Sequence, residues 1–296
     1  MKSIRNKLSL ATCSLLTTGN ASAEAIENAW EVDSSYLYYS EVDRVTVNKL
    51  VGTAKGYVST KDTASIKVVF DAMSGATPTG AVKASTPSFT GASGGTGINP
   101  SGESAALSDF DDTRVAVALD WAHEHTRTLS VNYNGAFSVE NDWRSFSVSA
   151  TANKESSSRS TRWTLGIAGT YDQIFRVNGN NTPEPMTPVD PPSFFGEGER
   201  STTDVIAGVT RVINRRTIAQ LNLGFGIANG YMTDPYKVFS IVDAGGVEWD
   251  QYFEGRPDSR TRWTITANLN HMTFPGNNGI HLSYRYYSDD WDVKSH

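Results

Sequence analysis

The sequence of 296 residues predicts an all-β protein, a transmembrane antiparallel up-and-down β-barrel of which about eleven strands are present. Three observations predict this fold class. Apolar residues recur at every second position, the segments with this period are long, and short connections alternate with long ones. Side chains of a strand point alternately to the two faces of its sheet, and strands that cross a membrane need about 9–11 residues, whereas the strands of soluble proteins average 5 or 6.

The segment 127–140 shows the alternation most clearly. Its odd positions are mostly apolar and its even positions mostly polar, as in Leu129, Val131 and Tyr133 against Ser130 and Asn132. Similar segments recur along the chain, and none has comparable helical spacing. The predicted strands are 30–40, 45–59, 64–73, 112–123, 127–140, 143–153, 161–175, 201–213, 217–231, 260–273 and 280–291.

The connections between these strands predict an orientation. Short turns are expected at 59–62, 124–126, 154–157, 214–216 and 275–278, and long loops at about 74–111, 176–200 and 232–259. Barrels of the outer membrane have short periplasmic turns and longer extracellular loops, so the short turns are assigned to the periplasm. Within the third loop, 237–254 alternates again. It is either an extracellular β-hairpin or two further spanning strands.

The N-terminus has the three parts of a secretory signal peptide. Lys2, Arg5 and Lys7 precede a short apolar run at 8–16, and Ala21-Ser22-Ala23 supplies a cleavage site. We expect residues 1–23 to be the signal peptide of a Gram-negative protein and 24–296 to be the barrel domain. Removal of the signal peptide changes the net charge from −6 to −9. This negative charge argues against nucleic-acid binding and suits cationic partners.

The predicted sheet is not complete in itself. Both edges of an open eleven-stranded sheet would expose unpaired backbone groups to lipid, and bacterial single-chain barrels have even strand numbers. The chain ends at His296 in a polar segment. We therefore expect a C-terminally truncated fragment that lacks several closing strands. The alternative is a complete chain that stays open or is closed by oligomerisation.

Several stretches resemble a family of bacterial outer-membrane proteins that is classed only as a domain of unknown function. The resemblance is carried by 33–45, 71–78, 110–114, 230–237 and 284–291, and it spans about 30–296. Members of that family are typically longer. The resemblance implies location in the bacterial outer membrane and a barrel architecture. It implies no catalytic residue, because the family has none established.

Two clusters carry side chains that metal ions bind. His123 and His125 are two positions apart, which puts both imidazoles on one face of a strand, although we expect a solvated turn there. Asp109, Asp111 and Asp112 gather three carboxylates, but they lack the spacing and the glycine of an EF-hand loop. We treat both clusters as weak metal candidates. The chain offers no catalytic set, and we expect no bound cofactor.

The predicted lumenal face decides between the possible functions. It is made of Ser, Thr, Asn, Gly and Ala with the scattered charges of Lys67, Asp71, Asp120, Arg162 and Arg285. Gly224 and Gly226 are interpreted as sites of strand curvature or close lumenal packing. The favoured function is a porin-like channel or uptake barrel for small hydrophilic solutes or cations. One alternative is a plugged barrel that acts as a structural or docking protein; an outer-membrane enzyme is the least favoured. Outer-membrane lipid and the barrel-assembly machinery are the expected partners.

Overall fold

The computed structural model describes residues 30–42, 44–78, 88–90, 96–98, 107–175, 198–234, 236–244, 248–273 and 278–296. The predicted signal peptide lies outside these residues. Sixteen strands are formed in the described part: β1 (Trp30–Glu41), β2 (Val45–Tyr57), β3 (Asp62–Pro78), β4 (Ser88–Thr90), β5 (Thr96–Ile98), β6 (Leu107–Thr126), β7 (Leu129–Val139), β8 (Trp143–Glu155), β9 (Thr161–Ile174), β10 (Gly198–Asn214), β11 (Thr217–Gly230), β12 (Val238–Val242), β13 (Glu248–Phe253), β14 (Ser259–Met272), β15 (Gly279–Asp289) and β16 (Lys294–Ser295).

Twelve of the strands form one antiparallel up-and-down sheet in the order β1-β2-β3-β6-β7-β8-β9-β10-β11-β14-β15-β16. Eleven of them are long, because only β16 has fewer than eleven residues, so the predicted fold class and strand number are confirmed. The sheet is not closed: in the described part of the chain β1 pairs only with β2, and β15 pairs with β14 and the two-residue β16. None of the described residues builds a helix long and apolar enough to cross a membrane.

The register separates the sheet into two faces. Val68, Val117, Phe137 and Phe146 are consecutive partners across β3, β6, β7 and β8 and define the apolar face. Most large side chains of this face are exposed; Leu165, for example, is 61% exposed. Large apolar side chains that no other part of a protein covers are expected where lipid replaces a core. The opposite face, here called the polar face, carries the Ser, Thr, Asn and Gly residues.

The two ends of the sheet differ as the sequence predicts. The connections at 58–61, 127–128, 156–160, 215–216 and 273–278 define the turn end, and all are short. The opposite loop end carries the connections at 79–106, 175–197 and 231–258, with short turns at 42–44 and 140–142. Which end faces the periplasm stays a prediction.

The strands β3 and β6 are longer than the sequence predicts. They pair from Asp62 and His123 as far as Pro78 and Leu107, well into the segment that was expected to be a loop. The sequence did not predict this extension because Ser74, Gly75 and Thr77 do not alternate with apolar residues, although their backbones continue the ladder. A ladder needs only backbone groups, so its extension beyond the apolar band leaves no mark on the hydrophobic period.

The segments 238–242 and 248–253 form a hairpin and not two spanning strands. The strands β12 and β13 pair with each other, from Val238 with Phe253 to Val242 with Glu248, while β11 pairs directly with β14. The hairpin therefore extends from the loop end and adds no strand to the main sheet.

Candidate functional site

The charges that the sequence assigns to the lumen lie together on the polar face. Lys67, Asp71, Asp120, Arg162 and Arg285 all occupy positions opposite to the apolar face in the register. Some of them are paired: the Lys49 ammonium lies 3.2 Å from Asp71 on the neighbouring strand. The polar face thus carries charged side chains on strands across the sheet, and some of them form ion pairs.

A recess of about 400 Å³ interrupts this face across β8, β9, β10, β11 and β14. Its lining combines small hydroxyl, amide and glycine residues (Ser149, Thr151, Asn222, Gly224, Thr264 and Thr266) with apolar residues (Ile167, Val205, Ile206 and Phe225). The recess exists because β9 and β11 present glycine where their neighbours present side chains. It is large enough to hold a small hydrophilic molecule.

An ion pair forms one wall of the recess. Nη2 of Arg262 on β14 donates to both carboxylate oxygens of Asp204 on β10, at 2.8 Å each. Gly226 of β11 lies between them in the register, so the two side chains meet across a strand that contributes no side chain. The two side chains are 42% and 39% exposed, which leaves the pair accessible from the recess.

Gly226 is required by this pair. A Cβ atom at this position would overlap Oδ1 of Asp204 and would lie 2.6 Å from Nε of Arg262. At Gly224, by contrast, the nearest atom to an added Cβ would be the Thr264 Cβ at 3.6 Å, an ordinary contact. The predicted close lumenal packing therefore applies to Gly226, whereas an added Cβ at Gly224 would make only ordinary contacts.

Two similar clusters lie towards the loop end, each with a buried aspartate, an arginine and a tryptophan. Asp172 is 3% exposed; it accepts from Nη2 of Arg200 at 2.7 Å and from Nε1 of Trp143 at 3.1 Å. The guanidinium of Arg200 also lies 4.7 Å from the centre of the Trp143 ring. Such a cation placed over a tryptophan face is favourable in addition to its ion pair.

The second cluster repeats this arrangement at the far side of the sheet. Asp289 is 8% exposed and accepts from Nε of Arg260 at 2.9 Å, while the Arg260 guanidinium lies 4.6 Å from the Trp291 ring centre. Tyr287 also donates to Asp289, at 2.8 Å. The two clusters hold the polar-face charges near the loop end in fixed positions.

The base of the β12–β13 hairpin folds back onto the sheet. Phe253 is 2% exposed and Thr233 is 4% exposed, and Oγ1 of Thr233 accepts from the Arg256 backbone N–H at 3.1 Å. Tyr236 is hydrogen-bonded to Asp142 in the turn between β7 and β8. The chain at Tyr236 therefore reaches past the ends of β9 and β10 to the turn between β7 and β8.

Two carboxyl groups in the turn between β7 and β8 have raised pKa values. Burial, followed by the charge of Asp112, raises the pKa of Asp142, although its hydrogen bond with Tyr236 acts in the opposite direction. Burial is also the main cause that raises the pKa of Glu140, again with Asp112 next. The loop end is thus a region where negative charge is concentrated and incompletely compensated.

The histidine candidates lie in a strand and not in a turn, which corrects the expected solvated turn. The strand β6 continues to Thr126, because its ladder with β7 runs as far as the pair Thr126 and Leu129. As predicted, His123 and His125 share one face, with ring centres 4.5 Å apart. Nδ1 of His123 lies 2.7 Å from Oδ1 of Asp62. That carboxylate also accepts from Trp121 at 2.9 Å.

The three aspartates of the second candidate do not converge in the described part of the chain. Asp111 and Asp112 are adjacent in β6 and so point to opposite faces, and Oδ1 of Asp112 accepts from the Asn141 backbone N–H at 3.2 Å. The side chain of Asp109 lies outside the described residues. Among the residues described, no three His, Cys, Asp or Glu side chains are grouped to hold a metal ion. Metal binding at either place stays a prediction.

Sequence reasoning did not identify the residues that shape the recess. Asp204, Arg262 and, near the loop end, Asp172 were not singled out, because a charge on the polar face of a strand has no distinctive local pattern. The signal that could have identified these residues is the register of neighbouring strands. Asp204, Gly226 and Arg262 come into line only when the three strands are placed in register.

Comparisons with solved structures find outer-membrane receptors with low sequence identity. A mutant of the ferric enterobactin receptor PfeA from Pseudomonas aeruginosa, in complex with enterobactin, is 12% identical with a TM-score of 0.47; 90% of this chain and 41% of the receptor are covered. The siderophore receptor PirA from Acinetobacter baumannii is 9% identical with a TM-score of 0.48, over 92% of this chain and 40% of that one. The chain thus spans about two fifths of the length of these receptors.

The comparison with curated proteins finds no match. The family described as "Protein of unknown function (DUF3570)" matches residues 5–296, which is nearly the whole chain. This match confirms the resemblance to a family without assigned function that the sequence motifs indicate. The chain belongs to the DUF3570 family.

Proposed function

We propose that this protein is an outer-membrane barrel for the uptake of small hydrophilic solutes, and that it binds and passes them without covalent chemistry. The observation that carries the proposal is the recess of about 400 Å³ on the polar face, with its hydroxyl and amide lining and the accessible Asp204–Arg262 pair. Such a surface can exchange hydrogen bonds with a polar solute as water leaves it. The exposed apolar face supports location in lipid, and insertion there would require the barrel-assembly machinery.

The charge of the loop end supports neutral or cationic solutes over anions. Glu140, Asp142, Asp234, Glu254 and Asp258 lie in the connections at that end. Clefts lined by one sign of charge raise the local concentration of the opposite ion. If the loop end faces outward as predicted, cations would be enriched where solutes enter.

Conductance in planar bilayers tests the proposal. We expect the full-length wild-type protein to give steady open channels. The substitution Gly224→Leu should lower their conductance, because it fills the recess without a backbone clash. The matched control is Gly169→Leu, which adds the same side chain to the apolar face of β9, where an added Cβ meets no atom within 4 Å.

Two results would contradict uptake along the recess. One is a wild-type protein that inserts into the bilayer but conducts no ions. The other is an equal fall in conductance for Gly224→Leu and Gly169→Leu, since the apolar-face residue has no access to the solute path.

The base of the hairpin favours a second function, a plugged barrel with a docking role. The Tyr236–Asp142 hydrogen bond and the buried Phe253 support a loop that covers the loop end. Removal of 239–252 together with Tyr236→Phe should open a channel that is otherwise silent. If wild type and variant conduct equally, the loop does not obstruct the path and the plugged alternative is excluded.

A further inference from the structure

The turn end carries an excess of positive charge, although the chain as a whole has a net charge of −6. Segments 58–62, 123–130, 153–162 and 211–217 contain eight lysine and arginine residues against three carboxylates. The cations are Lys61, Arg127, Lys154, Arg159, Arg162, Arg211, Arg215 and Arg216, and the carboxylates are Asp62, Glu124 and Glu155. The charge of the two ends is therefore opposite in sign, and the turn end attracts anions.

A second cavity, of about 420 Å³, lies within this positive region. Its lining includes Arg127, Arg159, Arg162, Asn132 and Asn153. Asn132 and Asn153 belong to the polar face of β7 and β8, so the cavity opens away from the apolar face. A lipid headgroup would reach the protein from the apolar face, and the ligand that fits this position is a soluble one.

The guanidinium groups of the cavity are held by a carboxylate. Oε1 of Glu155 accepts from Nε and Nη2 of Arg162, at 3.2 and 2.6 Å. Nε of Arg159 lies 3.9 Å from the other oxygen of Glu155. Two arginines are thus placed side by side, and they remain 66% and 56% exposed. With Arg127 they give three cations, against the carboxylates of Glu124 and Glu155.

Arg159 occupies a backbone conformation that favours glycine. Its φ is +55°, in the turn where its N–H donates to the Ser156 carbonyl at 2.8 Å. Residues with a Cβ adopt this left-handed region at a cost, which glycine avoids. An arginine at this position lowers the stability of the turn but places a guanidinium at the cavity.

We propose that this cavity binds an oxyanion, the phosphate or carboxylate group of a soluble ligand, through the guanidinium groups of Arg127, Arg159 and Arg162. Guanidinium groups form paired, charge-assisted hydrogen bonds with such groups. The asparagine amides of the lining supply further donors. The site is independent of solute uptake, because it would bind its ligand in an open or a plugged barrel.

Titration calorimetry on the detergent-solubilised full chain tests the site, with inorganic phosphate and citrate as the probes. The variant Arg159→Gly removes one cation and at the same time suits φ of +55°, so it should fold at least as well as wild type. We expect it to bind at least one probe about tenfold more weakly than wild type. The probe that binds more tightly distinguishes phosphate from carboxylate chemistry.

The control is Arg215→Gln, which removes the same charge from the turn between β10 and β11, outside the cavity lining. Its affinity should stay within about twofold of wild type. An equal loss in both variants would show diffuse attraction to the turn end and would overturn the proposal, as would a wild-type chain that binds neither probe. The conductance of Arg159→Gly tells the two proposals apart: unchanged conductance with lost binding supports this site alone.

Discussion

At the scale of single residues, the buried aspartates near the loop end are the most sensitive positions of the polar face. Asp172 compensates Arg200, whose side chain is itself only 28% exposed. Loss of one partner leaves the other charge partly buried and unpaired, which costs more than the pair contributes.

We therefore expect Asp172→Asn to lower the free energy of unfolding by about 2 kcal/mol. The matched control is Glu41→Gln, which removes a carboxylate from the exposed pair with Arg44 and should change stability by less than about 1 kcal/mol. Urea unfolding in detergent micelles, followed by tryptophan fluorescence, measures both. Equal effects of the two substitutions would contradict a special role for Asp172.

Asp142 links stability to pH. Burial raises its pKa, so the folded protein binds this proton more tightly than the unfolded chain does. Its contribution is therefore favourable below the unfolded pKa and is lost as pH rises through the higher folded value. We expect Asp142→Asn to raise the unfolding midpoint at about pH 7 relative to wild type, and the difference to shrink towards about pH 4. A difference that is constant with pH would exclude this origin.

At the scale of the strands, β11 determines whether its neighbours can interact across it. Its alternation of glycine and polar residues on one face lets Arg262 of β14 reach Asp204 of β10. The substitution Gly226→Ala should break this pair and lower the free energy of unfolding by about 1–3 kcal/mol, whereas Gly224→Ala should be tolerated. Urea titration of the two variants checks this; a larger loss for Gly224→Ala would contradict the assigned packing.

Strand existence could be predicted from the sequence more fully than strand length. The alternation in 127–140 identifies β7 because lipid on one side and water on the other impose a period of two. The extension of β3 to Pro78 and of β6 back to Leu107 could not be found in this way. Beyond the apolar band both faces meet water, and the hydrophobic signal disappears while backbone pairing continues.

The site could be predicted only as a type of surface. The alternation of apolar and polar positions assigned Arg162 and Asp120 to the polar face, because this alternation can be seen within a single strand. The recess and the Asp204–Arg262 pair depend on which residues of β10, β11 and β14 lie side by side. Register is set by turns and ladders far apart in sequence, so these contacts require the fold.

For the whole molecule, the two ends of the sheet carry opposite charge, and the orientation predicted for them in the membrane can be tested by cysteine labelling. Because the only cysteine, Cys13, lies in the predicted signal peptide, single cysteines can be introduced one at a time. On intact cells, Lys237→Cys at the loop end should react with a membrane-impermeable maleimide, and Ser157→Cys at the turn end should react only after lysis. The reverse pattern would invert the assigned orientation.

The exposed apolar face also determines how freely the sequence can vary. Among the described residues only Val69, Ile174, Ala228 and Phe253 are buried apolar side chains. A protein core demands complementary shapes, but liquid hydrocarbon adjusts to whichever side chain it meets. Leu165 and similar positions can therefore exchange among apolar residues at little cost in stability. Substitutions on the polar face are more restricted, because side chains there contact other side chains.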